Sequence, residues 1–277
     1  MQATQRWPHQ ANCAAMITFN LDAEWFWMSL GDDSARRPKT LSMGEYGMKR
    51  GLQRVNEVIR FHRLPVTFFV PGKVAEKYPD QIKMLADEGC EMALHGYAHE
   101  NFGLLKSIEM EEALEKGIKA LEKATGKTPK GFRAPEGEMT AEIYQKLKEF
   151  GFDYSSSMFG DDRPYFVSTP GCDRGILEIP APWEINDFPY FAFNYTPAFP
   201  AGQGRIANYT QVLSIFIEEY KAYYRYGLCY VPQFDPQTIG TPGRIEILKD
   251  ILKFILEQGN VWLCTGQDLT AYWTNHQ

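Results

Sequence analysis

The sequence lacks the features that would direct its function towards nucleic acids or membranes. Acidic residues outnumber basic residues by 35 to 29, and the net charge of −6 gives no electrostatic reason to bind nucleic acid or anionic lipid. No stretch approaches the ~18 uninterrupted apolar residues of a membrane helix, and residues 1–8 lack the apolar core of a secretory signal. We therefore expect a cytoplasmic protein with neither nucleic acid nor membrane as its partner.

Cysteine is scarce and scattered. Five cysteines occur in 277 residues, none of them in a Cys-x-x-Cys pair, and the total is odd. This pattern favours reduced, mostly buried thiols over a disulfide framework or a cysteine zinc cluster. Apolar residues make up 44% and charged residues 23%, which is typical of a globular protein. The length is compatible with one α/β barrel, so we predict a single domain over residues 1–277.

Histidine is also rare, yet two of the five histidines stand four residues apart. His95 and His99 follow the strand-like run 90–94, and Gly96 allows the backbone to turn between them. Two imidazoles at this spacing can face one metal ion, and a third ligand would complete a catalytic site with one open position. The alternative is a pair of polar loop residues bonded to the backbone, and only the rest of the chain can decide between the two.

Short apolar strands alternate with amphipathic helices along the chain. The predicted strands are 14–19, 65–70, 90–94, 131–135, 176–180, 227–231 and 261–264. The predicted helices are 48–61, 74–88, 107–125, 140–150, 208–226 and 244–258, and residues 31–40 are expected to form a polar loop. With no internal repeat and no linker-like tract, this alternation predicts parallel strands in a barrel or a doubly wound sheet.

Polar residues of catalytic type fall just past the ends of several predicted strands. In an α/β barrel these ends converge on one rim, where the chemistry takes place. Asp22 is the natural third ligand beside the two histidines, and a set of two imidazoles and one carboxylate suits a zinc hydrolase but also non-haem iron. The residues in these positions are Asn20, Asp22, His95, His99, Arg133 and Asp235.

Five motifs in a fixed order connect these residues. They are TFNLDAE at 18–24, HGYAHE at 95–100, GFRAP at 131–135, LEIP at 177–180 with Trp183 and Asp187 after it, and DPQ at 235–237. Together they resemble the NodB-homology polysaccharide deacetylases (carbohydrate esterase family 4), in the cytosolic branch with peptidoglycan-deacetylase-like, cyclic-imidase-like and allantoinase-like members. The resemblance covers residues 14–271 and implies a single deformed (β/α)7 barrel.

The resemblance also implies a chemistry. One divalent ion, expected to be zinc with cobalt, nickel, manganese or iron as alternatives, would be bound by Asp22, His95 and His99. It would polarise an amide carbonyl and lower the pKa of the attacking water. Arg133 matches the arginine that holds the catalytic base. The implied reaction is removal of an N-acetyl group from an amino sugar in an oligosaccharide or polysaccharide. Members of the family often assemble, so a homo-oligomer is one possible state of this protein.

Two positions depart from the family pattern. Asn20 occupies the position of the catalytic base, although an amide cannot accept a proton at neutral pH, and Asp235 occupies that of the acid histidine. Loss of a general base typically costs 10²–10⁴-fold in rate. Three hypotheses follow: Asp235 acts as the base, or the metal activates water while Asn20 only orients it, or the protein is a catalytically impaired carbohydrate-binding protein.

The remaining predicted site residues concern the substrate. Trp25, Pro135, Trp183, Asp187 and Phe188 lie in the motifs or in the loops after strands, where they are predicted to contact the substrate. The aromatic residues would form a wall for a sugar face or for a flat imide ring, with core packing as the alternative for each of them. A hydrolase of a cyclic imide or a ureide, allantoinase-like in its reaction, is therefore the alternative function.

Overall fold

The computed structural model describes residues 7–31, 33–169, 172–202 and 206–276. Its strands are β1 (Cys13–Ala15), β2 (Ile17–Asn20), β3 (Val66–Val70), β4 (Glu91–Leu94), β5 (Gly131–Phe132), β6 (Tyr154–Ser155), β7 (Tyr165–Thr169), β8 (Cys172–Glu178), β9 (Cys229–Tyr230), β10 (Gln233–Phe234) and β11 (Val261–Leu263). Its α-helices are α1 (Ala23–Ser29), α2 (Pro38–Tyr46), α3 (Leu52–His62), α4 (Gly72–Lys77), α5 (Pro79–Asp87), α6 (Ser107–Thr125), α7 (Ala141–Glu149), α8 (Phe188–Phe191), α9 (Tyr209–Tyr226), α10 (Ile245–Gln258) and α11 (Gly266–Asn275).

The main sheet is a curled wall of parallel strands in the order β10-β2-β3-β4-β5-β6-β8, with β7 added antiparallel at one edge. The two ends of this wall meet, because Asn186 forms a parallel bridge to Gln233 and the Asp187 amide donates to the Gln233 carbonyl at 3.0 Å. Seven parallel strands joined mostly through helices confirm the predicted deformed (β/α)7 barrel.

A smaller sheet, β11-β1-β9, lies at the N-terminal end of β2 and continues the barrel wall there. Only Met16 separates β1 from β2, and its amide donates to the Tyr230 carbonyl at 3.0 Å. The single strand predicted over 14–19 is therefore two short strands that pair with different neighbours. One extended segment thus anchors the small sheet and delivers Asn20 to the opposite end of the barrel.

Alternating side chains of the parallel strands divide between two cores. Phe19, Phe68 and Leu94 are buried between the barrel wall and the helices. Met16 and Phe69 belong to a second buried cluster with Ala93, Tyr154 and Leu177. This period of two is the geometry of a strand that is buried on both faces, which explains why the strands appear in the sequence as continuous apolar runs.

Several predicted elements differ from the observed ones. Helix α6 matches its prediction, and Gly126 ends it in the left-handed conformation (φ 74°). The helix predicted over 74–88 is two helices, because Pro79 starts α5 with a new first turn. Residues 38–40 of the predicted loop 31–40 belong to α2. The strand predicted over 176–180 overlaps the end of the longer strand β8, which pairs antiparallel with β7. Among the described helices, none is long and apolar enough to cross a membrane.

Candidate active site

Three ligand-type side chains meet where β2 and β4 end. Asp22 follows β2, while His95 and His99 follow β4, and all three are buried. The Nε2 atom of His95 lies 3.4 Å from Asp22 Oδ1, and the Nε2 atom of His99 lies 3.5 Å from Asp22 Oδ2. One ligand atom from each residue lies within 4.8 Å of the other two. The strand ends therefore bring the predicted metal ligands together.

A backbone carbonyl fixes the tautomer of His95. Its Nδ1 atom lies 2.7 Å from the Arg133 carbonyl oxygen, and a carbonyl oxygen can only accept, so Nδ1 carries the hydrogen. The lone pair of Nε2 then faces Asp22. Burial lowers the pKa of His95 to about 4, against the opposing effect of Asp22, so the ring is neutral at pH 7. A neutral imidazole held by a hydrogen bond on its other nitrogen is the form that binds metals.

The loop that carries His99 is held in an unusual backbone conformation. Gly96 and His99 both have positive φ, 68° and 62°, which is uncommon for a residue with a side chain. The Glu100 carboxylate accepts from the backbone amides of Tyr97 at 2.9 Å and Ala98 at 2.8 Å. Glu100 thus fixes the turn between the two histidines. Phe26 packs edge-on against His99, with ring centroids 5.5 Å apart.

The donor set fits a divalent cation. Asp22 Oδ1 and His99 Nδ1 are buried and have no hydrogen-bond partner within the described ranges, which is rare for buried polar atoms. Burial alone would raise the pKa of Asp22, but His99, His95 and Arg133 outweigh it and lower the pKa. A carboxylate and a neutral imidazole with a free lone pair offer what a divalent ion needs.

Arg133 determines how Asn20 is oriented. Its Nη1 donates to Asn20 Oδ1 at 2.9 Å and to Thr18 Oγ1 at 3.0 Å, while Nε and Nη2 donate to the carbonyl and hydroxyl of Ser156. A guanidinium group only donates, so the amide oxygen of Asn20 must face Arg133 and its NH₂ group must point away from it. Burial lowers the pKa of Arg133 to about 9, which leaves it charged at pH 7. Asn20 therefore presents a donor to the pocket.

A pocket of about 410 Å³ opens above these residues. Its polar floor contains Asn20, Asp22, His95, His99 and Arg133. Its other wall is aromatic: the ring centroid of Phe26 lies 4.4 Å from that of Phe188 and 4.9 Å from that of Phe199. Trp183 lies at the mouth with 57% of its surface exposed. Two of the predicted substrate residues, Trp183 and Phe188, thus lie in the pocket wall.

Three other predicted substrate residues lie outside this wall. Trp25 lies on helix α1 next to Phe26 but does not line the pocket, and the Nζ atom of Lys77 lies 5.6 Å from its ring centroid. Pro135 packs beside Gly96 rather than into the pocket. The buried carboxylate of Asp187 accepts from the amide of Asp235 at 2.9 Å and from the hydroxyl of Thr238. The structure thus gives Asp187 a role in holding the loop after β10.

Asp235 also lies behind the pocket wall. Its two carboxylate oxygens accept from the amide and the side chain of Gln237, at 2.7 and 3.0 Å, and Gln237 in turn accepts from Trp27 Nε1 at 2.6 Å. Burial, with the charge of Asp22, raises the pKa of Asp235 well above its usual value. Burial therefore favours the protonated form of Asp235 in this structure, and its role as base stays a prediction.

Sequence reasoning missed several residues of the site. Ser156 follows β6 as His95 follows β4, so the strand-end rule would have found it. Phe26 and Phe199 carry no such signal, because they are brought together by contacts between distant parts of the chain. Glu136 also lines the pocket, and its backbone is in the left-handed conformation (φ 61°). The sequence around Pro135 gives no sign of this conformation.

Comparison with known proteins places this fold and site in a family. The family model described as polysaccharide deacetylase matches residues 38–155. A peptidoglycan deacetylase of Helicobacter pylori is 30% identical over 204 residues, which cover 64% of this chain and 69% of that protein. The chain belongs to the polysaccharide deacetylase family, a family of hydrolases that act on non-peptide carbon–nitrogen bonds.

Solved structures agree with this assignment. The crystal structure of a putative polysaccharide deacetylase from Mycobacterium smegmatis superposes with a TM-score of 0.91 at 30% identity, over 98% of this chain and 93% of that chain. The Puue allantoinase structure superposes with a TM-score of 0.82 at 20% identity, over 100% of this chain and 95% of that chain. The second likeness, at this identity, shows the shared fold alone.

Proposed function

We propose that this chain is a divalent-metal-dependent hydrolase that removes the N-acetyl group from an amino sugar, most simply with zinc as its metal. The observation that carries the proposal is the buried cluster of Asp22, His95 and His99 on the floor of the pocket, in a chain that belongs to a deacetylase family. The unpartnered Asp22 Oδ1 and the free lone pair of His95 support a bound cation.

In the proposed reaction, the metal ion and the side chains around it have different roles. Asp22, His95 and His99 would hold a divalent ion, which would polarise the scissile carbonyl and lower the pKa of the attacking water. Asn20 donates a hydrogen bond from its NH₂ group to an oxygen of the reacting centre, while Arg133 holds the amide in this orientation. Because Asn20 cannot take a proton, we assign it orientation and charge stabilisation in place of the base role.

Asp235 receives a positioning role in this proposal. Its carboxyl group is bonded to Gln237 and makes no hydrogen bond to a residue of the pocket floor within the described ranges. Through Gln237 it supports Trp27, whose ring packs against Phe26 and Phe188 in the pocket wall. The proposal assigns no proton transfer to Asp235, so the attacking water would lose its proton to solvent, and the leaving amine would gain one from solvent, through the mouth of the pocket.

The shape of the pocket supports a sugar ring as substrate and also favours a second candidate. Trp183 at the mouth offers a flat surface for stacking on a sugar face, as aromatic side chains do in carbohydrate sites. The enclosing rings of Phe26, Phe188 and Phe199 also suit a small planar substrate, since a cavity of about 410 Å³ holds one ring and its substituents. A cyclic imide or ureide is therefore the second candidate substrate.

A direct assay separates these candidates. The metal-loaded protein would be incubated with N-acetylated chitooligosaccharides, allantoin and succinimide, and acetate release and ring opening would be measured. Hydrolysis of the oligosaccharides, lost on chelation and in His95→Ala but retained in His62→Ala, is the expected result. Ring opening without acetate release would select the second candidate. Tight oligosaccharide binding with neither reaction would instead define a binding protein and refute the proposed activity.

A further inference from the structure

A second cavity, of about 370 Å³, lies next to the wall of the catalytic pocket. Trp27 separates the two spaces. It lines the second cavity, while its ring packs edge-on against Phe26 with centroids 5.1 Å apart, and Phe26 lines the catalytic pocket. None of the predicted site residues lines this second cavity. It is therefore a separate space that the proposed reaction does not use.

A buried cation that makes no direct ion pair within the described residues lines this second cavity. Arg244, which is 8% exposed, donates from Nε to the Tyr209 hydroxyl at 3.1 Å and from Nη1 to the Thr238 carbonyl at 3.2 Å. Both acceptors are neutral. In the described part of the chain, Nη2 makes no hydrogen bond and no carboxylate lies within 4.0 Å of the guanidinium group. Asp187 acts on it only at longer range, and both of its oxygens already accept hydrogen bonds.

A buried charge without a direct ion pair is costly, and an anion in the cavity would offset that cost. The rest of the lining suits such a ligand. Lys39 is an exposed cation at the rim, and the hydroxyls of Ser42 and Thr241 also line the space. The face of Phe191, whose ring centroid lies 4.8 Å from the Arg244 guanidinium carbon, gives the cavity an apolar side.

We propose that the second cavity binds a small organic carboxylate. The carboxylate would accept from Arg244 Nη2 and from Lys39, and its apolar body would lie against Phe191. The observations favour a carboxylate over a phosphate, because one free guanidinium nitrogen and a largely apolar lining match a single negative charge with an apolar body. This site is independent of the proposed reaction, so either proposal can fail without the other.

Calorimetric titration of the metal-loaded protein at constant ionic strength tests the inference, with benzoate and inorganic phosphate as probes. Benzoate should bind saturably and more tightly than phosphate. Its affinity should fall at least tenfold in Arg244→Gln and several-fold in Lys39→Gln. Arg244→Lys, which keeps the charge, should fall between Arg244→Gln and the wild type.

Two further variants locate the binding. His95→Ala, which disrupts the predicted metal site, should bind benzoate as the wild type does, and so should Lys249→Gln, which removes an exposed lysine elsewhere on α10. Loss of binding in His95→Ala with retention in Arg244→Gln would place the anion in the catalytic pocket and overturn the inference. Absence of saturable benzoate binding, or tighter binding of phosphate, would overturn the proposed ligand class.

Discussion

Replacing Asn20 by aspartate should lower the rate of the proposed reaction. Aspartate keeps an oxygen for Arg133 Nη1, which lies 2.9 Å from the present amide oxygen, but it loses the NH₂ donor that faces the pocket. Removal of one donor aimed at a reacting oxygen typically costs 10²–10³-fold in kcat. We expect a loss of this size in Asn20→Asp, and a similar loss in Asn20→Ala.

The assay is kcat/KM for acetate release, or for ring opening if that is the reaction, under saturating metal. Thermal unfolding of each variant verifies that the fold is intact, and Asn275→Asp, an exposed change on α11, serves as the matched control. An increase of 10²–10⁴-fold in Asn20→Asp with little change in Asn20→Ala would refute the reasoning. That result would mean that a missing base limits the rate and that the new carboxylate supplies it.

Three further outcomes are expected. Asp235→Asn should change kcat/KM by less than about tenfold, and a loss beyond about 10³-fold in a folded variant would make Asp235 a proton carrier. Burial raises the pKa of Asp187 from 3.8 to about 7, so the folded protein keeps this proton to about pH 7 while the unfolded chain releases it near pH 4. The contribution of Asp187 to the free energy of unfolding should therefore fall by about 3 kcal/mol between pH 4 and pH 7, and the fall measured by urea unfolding should be smaller by about this amount in Asp187→Asn. Glu178→Ala should lower the free energy of unfolding by about 3 kcal/mol, because it leaves the partly buried amides of Ser157 and Met158 and the buried hydroxyl of Tyr144 without their acceptor. A loss under about 1 kcal/mol in the same assay would contradict this account.

The barrel and the grouping of its polar residues could be predicted because both depend on local patterns. Apolar runs ended by polar residues mark the parallel strands, and the ends of such strands share one rim, which is why Asp22, His95 and Arg133 are neighbours. Helix α6 could be bounded to the residue, because Gly126 provides a left-handed end.

The pocket wall could not be predicted in the same way. Whether Trp25 or Phe26 faces the pocket depends on the helical turn that begins at Ala23, and the three consecutive residues 25–27 are all aromatic, so the sequence does not distinguish between them. Phe199 reaches the pocket from a segment far along the chain, and no local pattern signals that contact. The state of Asp235 depends on its burial beside Asp22, which only the assembled structure reveals.

Among the described residues, the barrel closes at one place through the bridge between Asn186 and Gln233 and the hydrogen bonds of Asp187 to the strand and loop beside it. Asn186 and Gln233 both line the pocket beside Trp183 and Phe188. The side of the pocket that carries the predicted metal ligands rests instead on continuous parallel pairing of β2, β3 and β4. Substitutions at Asn186 or Gln233 can therefore alter the pocket entrance without changing the strand pairing that positions Asp22 and His95. The substrate preference of such a barrel can therefore change at the seam where strand pairing is least continuous, while the residues on the opposite side of the pocket are kept.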